Sequence, residues 1–207
     1  MMKNIGILDY GVGNLRSVYF AVDAVEGSPH LVTNHKDIAG KDALILPGVG
    51  AFAHTAKAFS DSGLKQPTLD AIDAGIPVLG ICVGMQLLFD ESLEFGVTRG
   101  LGLLRGSVRK IEPKPEGNGR SRLPVIGWFR TLDLAADRRG YYFLHSFTAQ
   151  PDDPAIVHKS YIYQNTTLTA SVVSGNVMGT QFHPERSAQD GLTLLSTFVS
   201  TGSIATA

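Results

Sequence analysis

The sequence has 207 residues, 43% of them hydrophobic, with 18 Lys and Arg against 19 Asp and Glu for a formal net charge of −1. Such a chain is long enough to bury a core without disulfides, and its balanced charge excludes an overall field that would draw it to nucleic acid or to an anionic membrane. A small polar substrate or a protein partner is the expected ligand, and a lone cysteine, Cys82, which cannot form an internal disulfide, fits a reducing, cytoplasmic compartment.

The opening apolar run meets Asp9 too soon for a signal peptide or a membrane span. Residues 4–9, 30–33, 43–47 and 76–81 are short apolar runs bounded by Gly, Pro, Asp or Asn, the pattern of parallel strands buried on both faces. Between the first two, Leu15, Val18, Ala21, Val22 and Val25 recur at helical spacing behind Asn14, which can cap, so a helix is expected over 14–25 and the segment reads as a βαβ unit. One or two helices are expected over 51–74, with Gly75 as the stop.

The pattern then changes. Runs at 108–111, 141–145, 155–163 and 168–173 are strand-like with little helical signal between them, which favours antiparallel pairing. Gly175-Asn176, between 169–174 and 177–182, predicts a tight hairpin, and Leu192, Leu195 and Val199 stripe a closing helix over 189–200. The stretch 113–124, rich in Pro, Gly and charge, reads as a mobile loop. The expected architecture is a single three-layer α/β domain over residues 1–207, with a central mixed, mainly parallel sheet and an antiparallel C-terminal part.

Three short stretches carry chemistry. Gly80-Ile81-Cys82-Val83-Gly84 has the G-x-nucleophile-x-G spacing at a strand-to-helix transition, where a strained turn lifts the nucleophile out and the glycines leave room for neighbouring backbone. At a helix N-terminus a cysteine pKa falls from about 8.5 to roughly 3.5–7.5, giving the reactive thiolate; the alternative is a small packed residue. Gly179-Thr180-Gln181-Phe182-His183-Pro184-Glu185 supplies a base. Residues two apart in an extended chain share a side, so Glu185 can orient His183 while Pro184 ends the strand. The set is then nucleophile, base and orienter: Cys82, His183 and Glu185. His145 is the best competing histidine. Third, Pro47-Gly48-Val49-Gly50 can aim backbone N–H groups into a site, adding Gly48, Val49 and Gly50 to the Val83 N–H as oxyanion donors; as a plain turn it needs no function. A dinucleotide-binding reading of Asp9 to Arg16 fails because Arg16 stands where the third glycine belongs, and no metal or other cofactor is expected.

With G-I-C-V-G-M-Q, P-G-V-G and Q-F-H-P-E in place, the chain resembles the class I glutamine amidotransferases, whose fold is flavodoxin-like. D-Y-G-V-G-N-L-R-S-V at 9–18, P-G-V-G-A-F at 47–52, I-G-W at 126–128 and Y-F-L-H-S-F at 142–147 narrow the resemblance to the glutaminase subunits of imidazole glycerol phosphate synthases. The resemblance implies that Cys82 attacks the side-chain amide of glutamine, that ammonia leaves before a γ-glutamyl thioester is hydrolysed, and that Gln86, Glu94 and the backbone at Ser146 and Phe147 hold the substrate's amino-acid end. It further implies a (β/α)₈-barrel synthase (cyclase) partner, docked through Asn14, Trp128, Tyr142 and Arg186, that takes the ammonia for histidine biosynthesis. Phe129, Phe147 and Arg186 depart from the family's usual Asn, Tyr and Lys. The rival readings are another amidotransferase's glutaminase, a cysteine hydrolase or peptidase of the same superfamily, and a partner-binding module without turnover.

Overall fold

The structure is a computed structural model that describes residues 2–115, 120, 122–132 and 139–205. The first half follows the alternation read from the sequence: β1 (Asn4–Leu8), α1 (Leu15–Ala24), β2 (Ser28–Val32), β3 (Ala43–Gly48), α2 (Phe52–Asp61), α3 (Lys65–Asp73), β4 (Val78–Cys82) and α4 (Val83–Leu87). The second half holds β5 (Phe89–Ser92), β6 (Thr98–Arg99), β7 (Leu104–Lys110), β8 (Val125–Leu132), β9 (Gly140–His145), β10 (Phe147–Pro151), β11 (Val157–Tyr163), β12 (Thr166–Ser174), β13 (Val177–Thr180) and α5 (Ala188–Thr201).

A nine-stranded sheet runs β2-β1-β3-β4-β13-β12-β11-β8-β9. It is mixed, as expected, with its parallel pairings confined to the run from β2 to β13 and antiparallel ones beyond, so the parallel share is half rather than most of the pairings among the described residues. Alternation sorts the parallel strands onto two cores. Ile5, Ile7, Ala43, Ile45, Leu79 and Ile81 face α1 and α5 through Val18, Val22, Leu194 and Phe198, whereas Leu8, Leu44, Leu46 and Val78 face α2 and α3 through Phe52, Phe59 and Ile72. Each buried Val, Leu, Ile or Phe among them contributes about 1.5–3 kcal/mol. Helices on both faces make the three layers.

Several local expectations are corrected. A second sheet, β10-β7-β5-β6, covers part of the second core, although β5, β6, β8 and β10 carry too little strand pattern to be read from sequence. Asn14 sits at the N-cap of α1 but its side chain makes no capping bond. The strand before His183 stops at Thr180, and Pro184–Arg186 form a 3₁₀ turn, because proline has no N–H for a ladder and its φ suits a first helical position. Gly175-Asn176 does close the expected hairpin, with Ser174 opposite Val177. Of the stretch expected to be a mobile loop, 116–119 and 121 lie outside the described residues. No helix among the described residues is long and apolar enough to cross a membrane.

The short helix α4 lies directly on the sheet, and Gly80 and Gly84 make that possible. A Cβ on Gly84 would overlap the Leu46 carbonyl oxygen, and one on Gly80 would lie 2.7 Å from the Gly84 oxygen and the Met85 backbone. Because backbone cannot step aside cheaply, Gly84→Ala is expected to cost at least about 1–3 kcal/mol and to lower Tm by several degrees, read by thermal unfolding.

Candidate active site

Parallel pairing of β4 with β13 sets Gly80 opposite Gly179 and Ile81 opposite Thr180. The strand ending in Cys82 and the strand leading to His183 therefore emerge side by side, at the carboxyl ends where open α/β sheets bind ligands. There lies a cavity of about 480 Å³ bordered by Cys82, Val83, His183, Val49 and Gly50.

Cys82 closes β4 with φ +56° and ψ −112°, a left-handed conformation that costs a non-glycine residue on the order of 1–3 kcal/mol. The close seating of α4 on its two glycines holds it there. The residue is only 4% exposed and lines the cavity. Helix α4 has five residues, so its contribution to an anion here comes mainly from N–H groups of its first turn, Val83 included, and little from a macrodipole.

His183 Nδ1 lies 2.9 Å from Glu185 Oε1, and both side chains are buried. That bond leaves Nε2 as the nitrogen for the sulfur. Burial alone would push the imidazole's pKa down, but hydrogen bonding to Cys82 and Glu185 and the charges of both outweigh it and raise the pKa to about 10. The imidazole is thus held as imidazolium at neutral pH. Glu185 Oε2 is buried with no hydrogen-bond partner among the described residues, and Oε1 is the oxygen that meets His183. The His183 backbone is clamped as well: its N–H donates to the Tyr142 carbonyl at 2.9 Å, and Ser187 Oγ donates to its carbonyl at 2.6 Å while accepting from the Tyr142 N–H at 3.0 Å.

His145 borders the same cavity but cannot serve as the base. Its Nδ1 bonds the Phe147 carbonyl at 2.7 Å and its Nε2 the Tyr161 hydroxyl at 2.7 Å. A carbonyl only accepts, so the proton sits on Nδ1 and Nε2 accepts from Tyr161. Burial drives its pKa down, opposed by the Phe147 bond and reinforced by the charge of His183, to about 4.

Of the other expected residues, Gln86, Glu94, Ser146, Phe147, Asn14 and Arg186 all border the cavity. Glu94 Oε2 accepts from the Phe52 N–H at 2.6 Å and so caps α2, whose own N-cap residue, Ala51, has no side chain to do it. Val49 and Gly50 reach the cavity, and Thr55 Oγ1 holds the Val49 carbonyl at 3.1 Å. Gly48 does not; it is turned under α4, where a Cβ would lie 2.5 Å from the Gly84 nitrogen. Trp128 is 55% exposed, edge-on to Tyr142 with centroids 6.3 Å apart, and the Arg186 guanidinium lies 4.3 Å above the Tyr142 ring. Both aromatics lie outside the cavity wall. Register places Ile126 opposite Leu144 and Trp128 opposite Tyr142, so these side chains share one outer face of β8 and β9. Phe129, on the opposite face, packs against Phe143, Tyr161 and Tyr163.

Gln181, whose Nε2 lies 3.7 Å from the Cys82 sulfur, is not among the residues expected from the sequence. Counting back two from His183, as the expected pairing with Glu185 counts forward two, reaches position 181. Phe95, exposed at the cavity mouth in a left-handed conformation with φ +54°, carried no sequence signal.

A strained thiol, an imidazole and an orienting carboxylate at the carboxyl ends of a mixed sheet define a cysteine-dependent hydrolase or transferase. Residues 7–200 match the family model for the glutamine amidotransferase class-I domain. The chain is 41% identical over 203 residues to the imidazole glycerol phosphate synthase subunit HisH of Geobacillus sp. (strain WCH70), covering 95% of this chain and 96% of that protein. It is 37% identical over 208 residues to the HisH subunit of Nostoc punctiforme, covering 96% of each. Among solved structures, a glutamine amidotransferase superposes with a TM-score of 0.74 at 19% identity, over 95% of this chain and 98% of the other, and PurLQS from Thermotoga maritima with 0.68 at 20%, over 93% and 92%; at those identities the likeness is one of fold. The chain belongs to the class I glutamine amidotransferases and, within them, to the family of the imidazole glycerol phosphate synthase subunit HisH.

Proposed function

We propose that this chain is the glutaminase of an imidazole glycerol phosphate synthase, hydrolysing glutamine to glutamate and passing the ammonia to a (β/α)₈-barrel synthase subunit in histidine biosynthesis. The observation that carries the reading is the meeting of Cys82 and His183 on one small cavity, with Glu185 bonded to the far nitrogen of His183, in a chain related along nearly its whole length to HisH subunits. The Cys82 thiolate attacks the carboxamide carbon, and a C–S bond forms as the C=O becomes an oxyanion. Donors for that oxyanion are the Val83 N–H and an N–H of the Val49 to Gly50 segment. His183 Nε2–H protonates the departing nitrogen, the C–N bond breaks and ammonia leaves. Neutral His183 then takes a proton from water, whose oxygen attacks the thioester; the C–S bond breaks, glutamate is released, and thiolate and imidazolium are restored. Gln86 and Glu94 hold the substrate's amino-acid end, the carboxylate suiting an ammonium.

The partner docks on the face bearing Trp128, Tyr142 and Ile126, with Arg186 at the join between that face and the cavity and Asn14 on the cavity border. An exposed tryptophan and a half-buried tyrosine beside an arginine are the composition of an interface centre. Glutamate release by the chain alone, and mixed with the synthase subunit, tests the reading. The expected result is a rise on the order of 10²-fold, the worth of one oxyanion donor brought into register. Equal rates with and without the partner, or a complex that makes no glutamine-dependent product, would refute it.

A further inference from the structure

We propose that Gln181 is a positioning residue whose side-chain N–H steadies the Cys82 thiolate, and that its amide is turned the right way round by Gln86. The inference rests on the reading of Cys82 as the nucleophile and assigns to Gln181 a part that the triad does not contain.

Gln181 follows β13 directly and is fully buried, with its backbone N–H held by the Ala170 carbonyl at 2.8 Å. Its side chain lies between two groups. Gln86 Nε2 is 3.0 Å from Gln181 Oε1, and Gln181 Nε2 is 3.7 Å from Cys82 Sγ, within reach of a hydrogen bond to sulfur. The two ends of a glutamine amide have the same shape, so what fixes its orientation is the network. Here the network has a fixed origin. The Phe147 carbonyl oxygen can only accept, and it receives His145 Nδ1–H at 2.7 Å and Gln86 Nε2 at 3.1 Å. The Gln86 NH₂ group is thereby turned towards Phe147, and its second hydrogen points to Gln181. An NH₂ group requires an acceptor opposite it, so Gln181 presents Oε1 to Gln86 and its own NH₂ to the sulfur.

The sign of the effect follows. A donor beside sulfur favours the charged form. The Leu144 carbonyl, 3.9 Å from Sγ, offers only lone pairs and favours the neutral thiol. Gln181 is a second side-chain donor, beside His183, that opposes it. Flipping the Gln181 amide would set an oxygen against the thiolate and two NH₂ groups against each other, leaving buried donors unpaired. Gln86 and Gln181 lie 95 residues apart in sequence, and Gln181 and Cys82 lie 99 apart, so the orientation of the nucleophile's neighbour is inherited from a backbone carbonyl on β10.

The chain's single cysteine makes the test specific, because any alkylation reports on Cys82. Gln181→Met keeps the length of the side chain and removes the donor. In the full chain, the rate of iodoacetamide alkylation plotted against pH is expected to move to higher pH, with the rate at neutral pH about tenfold lower. In the assembled synthase, kcat for glutamine hydrolysis is expected to fall by a similar factor with a smaller change in KM, since the amide meets the nucleophile directly and the substrate only through Gln86. Gln181→Leu makes the same measurement should the Met variant not fold. Loss of packing alone would lower Tm without moving the alkylation profile. An alkylation profile that superimposes on the parent's, or an effect confined to KM, overturns the proposal. Failure of the underlying reading is seen separately, as glutamine hydrolysis surviving in Cys82→Ala.

Discussion

Cys82→Ala is expected to lower glutamine hydrolysis in the assembled complex by about 10⁴–10⁶-fold, leaving only the turnover that binding and oxyanion donors support without a nucleophile. The reason is covalent: no other thiol exists in the chain, and the hydroxyl and imidazole groups of Tyr161 and His145 are bound to each other. The same position makes a second, independent forecast. At φ +56° a Cβ is strained, so Cys82→Gly, equally inactive, should unfold at a higher temperature than Cys82→Ala by about 2–4 °C once the entropy of glycine is set against the strain relieved. Residual activity within tenfold of the parent, measured by glutamate release, would remove Cys82 from the mechanism.

Glu185→Gln is expected to lower kcat on the order of 10²–10⁴-fold, the range of general acid–base catalysis. His183 is buried, which by itself disfavours its charge; the sulfur on one side and Glu185 on the other reverse this and bring its pKa to about 10 from an ordinary 6.5. The pKa is raised in the folded chain, so its contribution to stability is fully present below pH 6.5 and is lost as pH climbs through about 10. Neutralising Glu185 removes one of the raising causes. The variant should therefore show a weaker decline of Tm between those two pH values, together with loss of imidazolium at lower pH in NMR titration of the His183 ring. An unchanged ring titration would show that Glu185 does not hold the charge of His183.

The two halves of the chain were unequally legible. In the first half, 4–9, 43–47 and 14–25 correspond to β1, β3 and α1 within a residue or so, because strands covered on both faces are almost wholly apolar and an amphipathic helix between them has a distinct period. In the second half, β8 places Ile126 and Trp128 outward and Phe129 inward, so hydrophobicity does not mark the buried side. Phe89, the first residue of β5, is masked by the apolar run that leads into it from α4. Trp128 in isolation reads as a core residue, and only the pairing of β8 with β9 sets it on an open face beside Tyr142.

What the sequence determined by itself is the chemistry available and where the backbone must bend: a cysteine between glycines, a histidine and glutamate about a proline, a Gly-rich turn after a strand. Tertiary structure decided which of these groups meet. It set His183 rather than His145 against the sulfur, filled both nitrogens of His145, packed Gly48 closely under α4, and brought Gln181 to Cys82. The division has a physical cause. Turn chemistry and periodicity act over a few residues, whereas burial, pKa and the direction of a hydrogen bond depend on what faces a group across the sheet, and those neighbours come from strands about a hundred positions away.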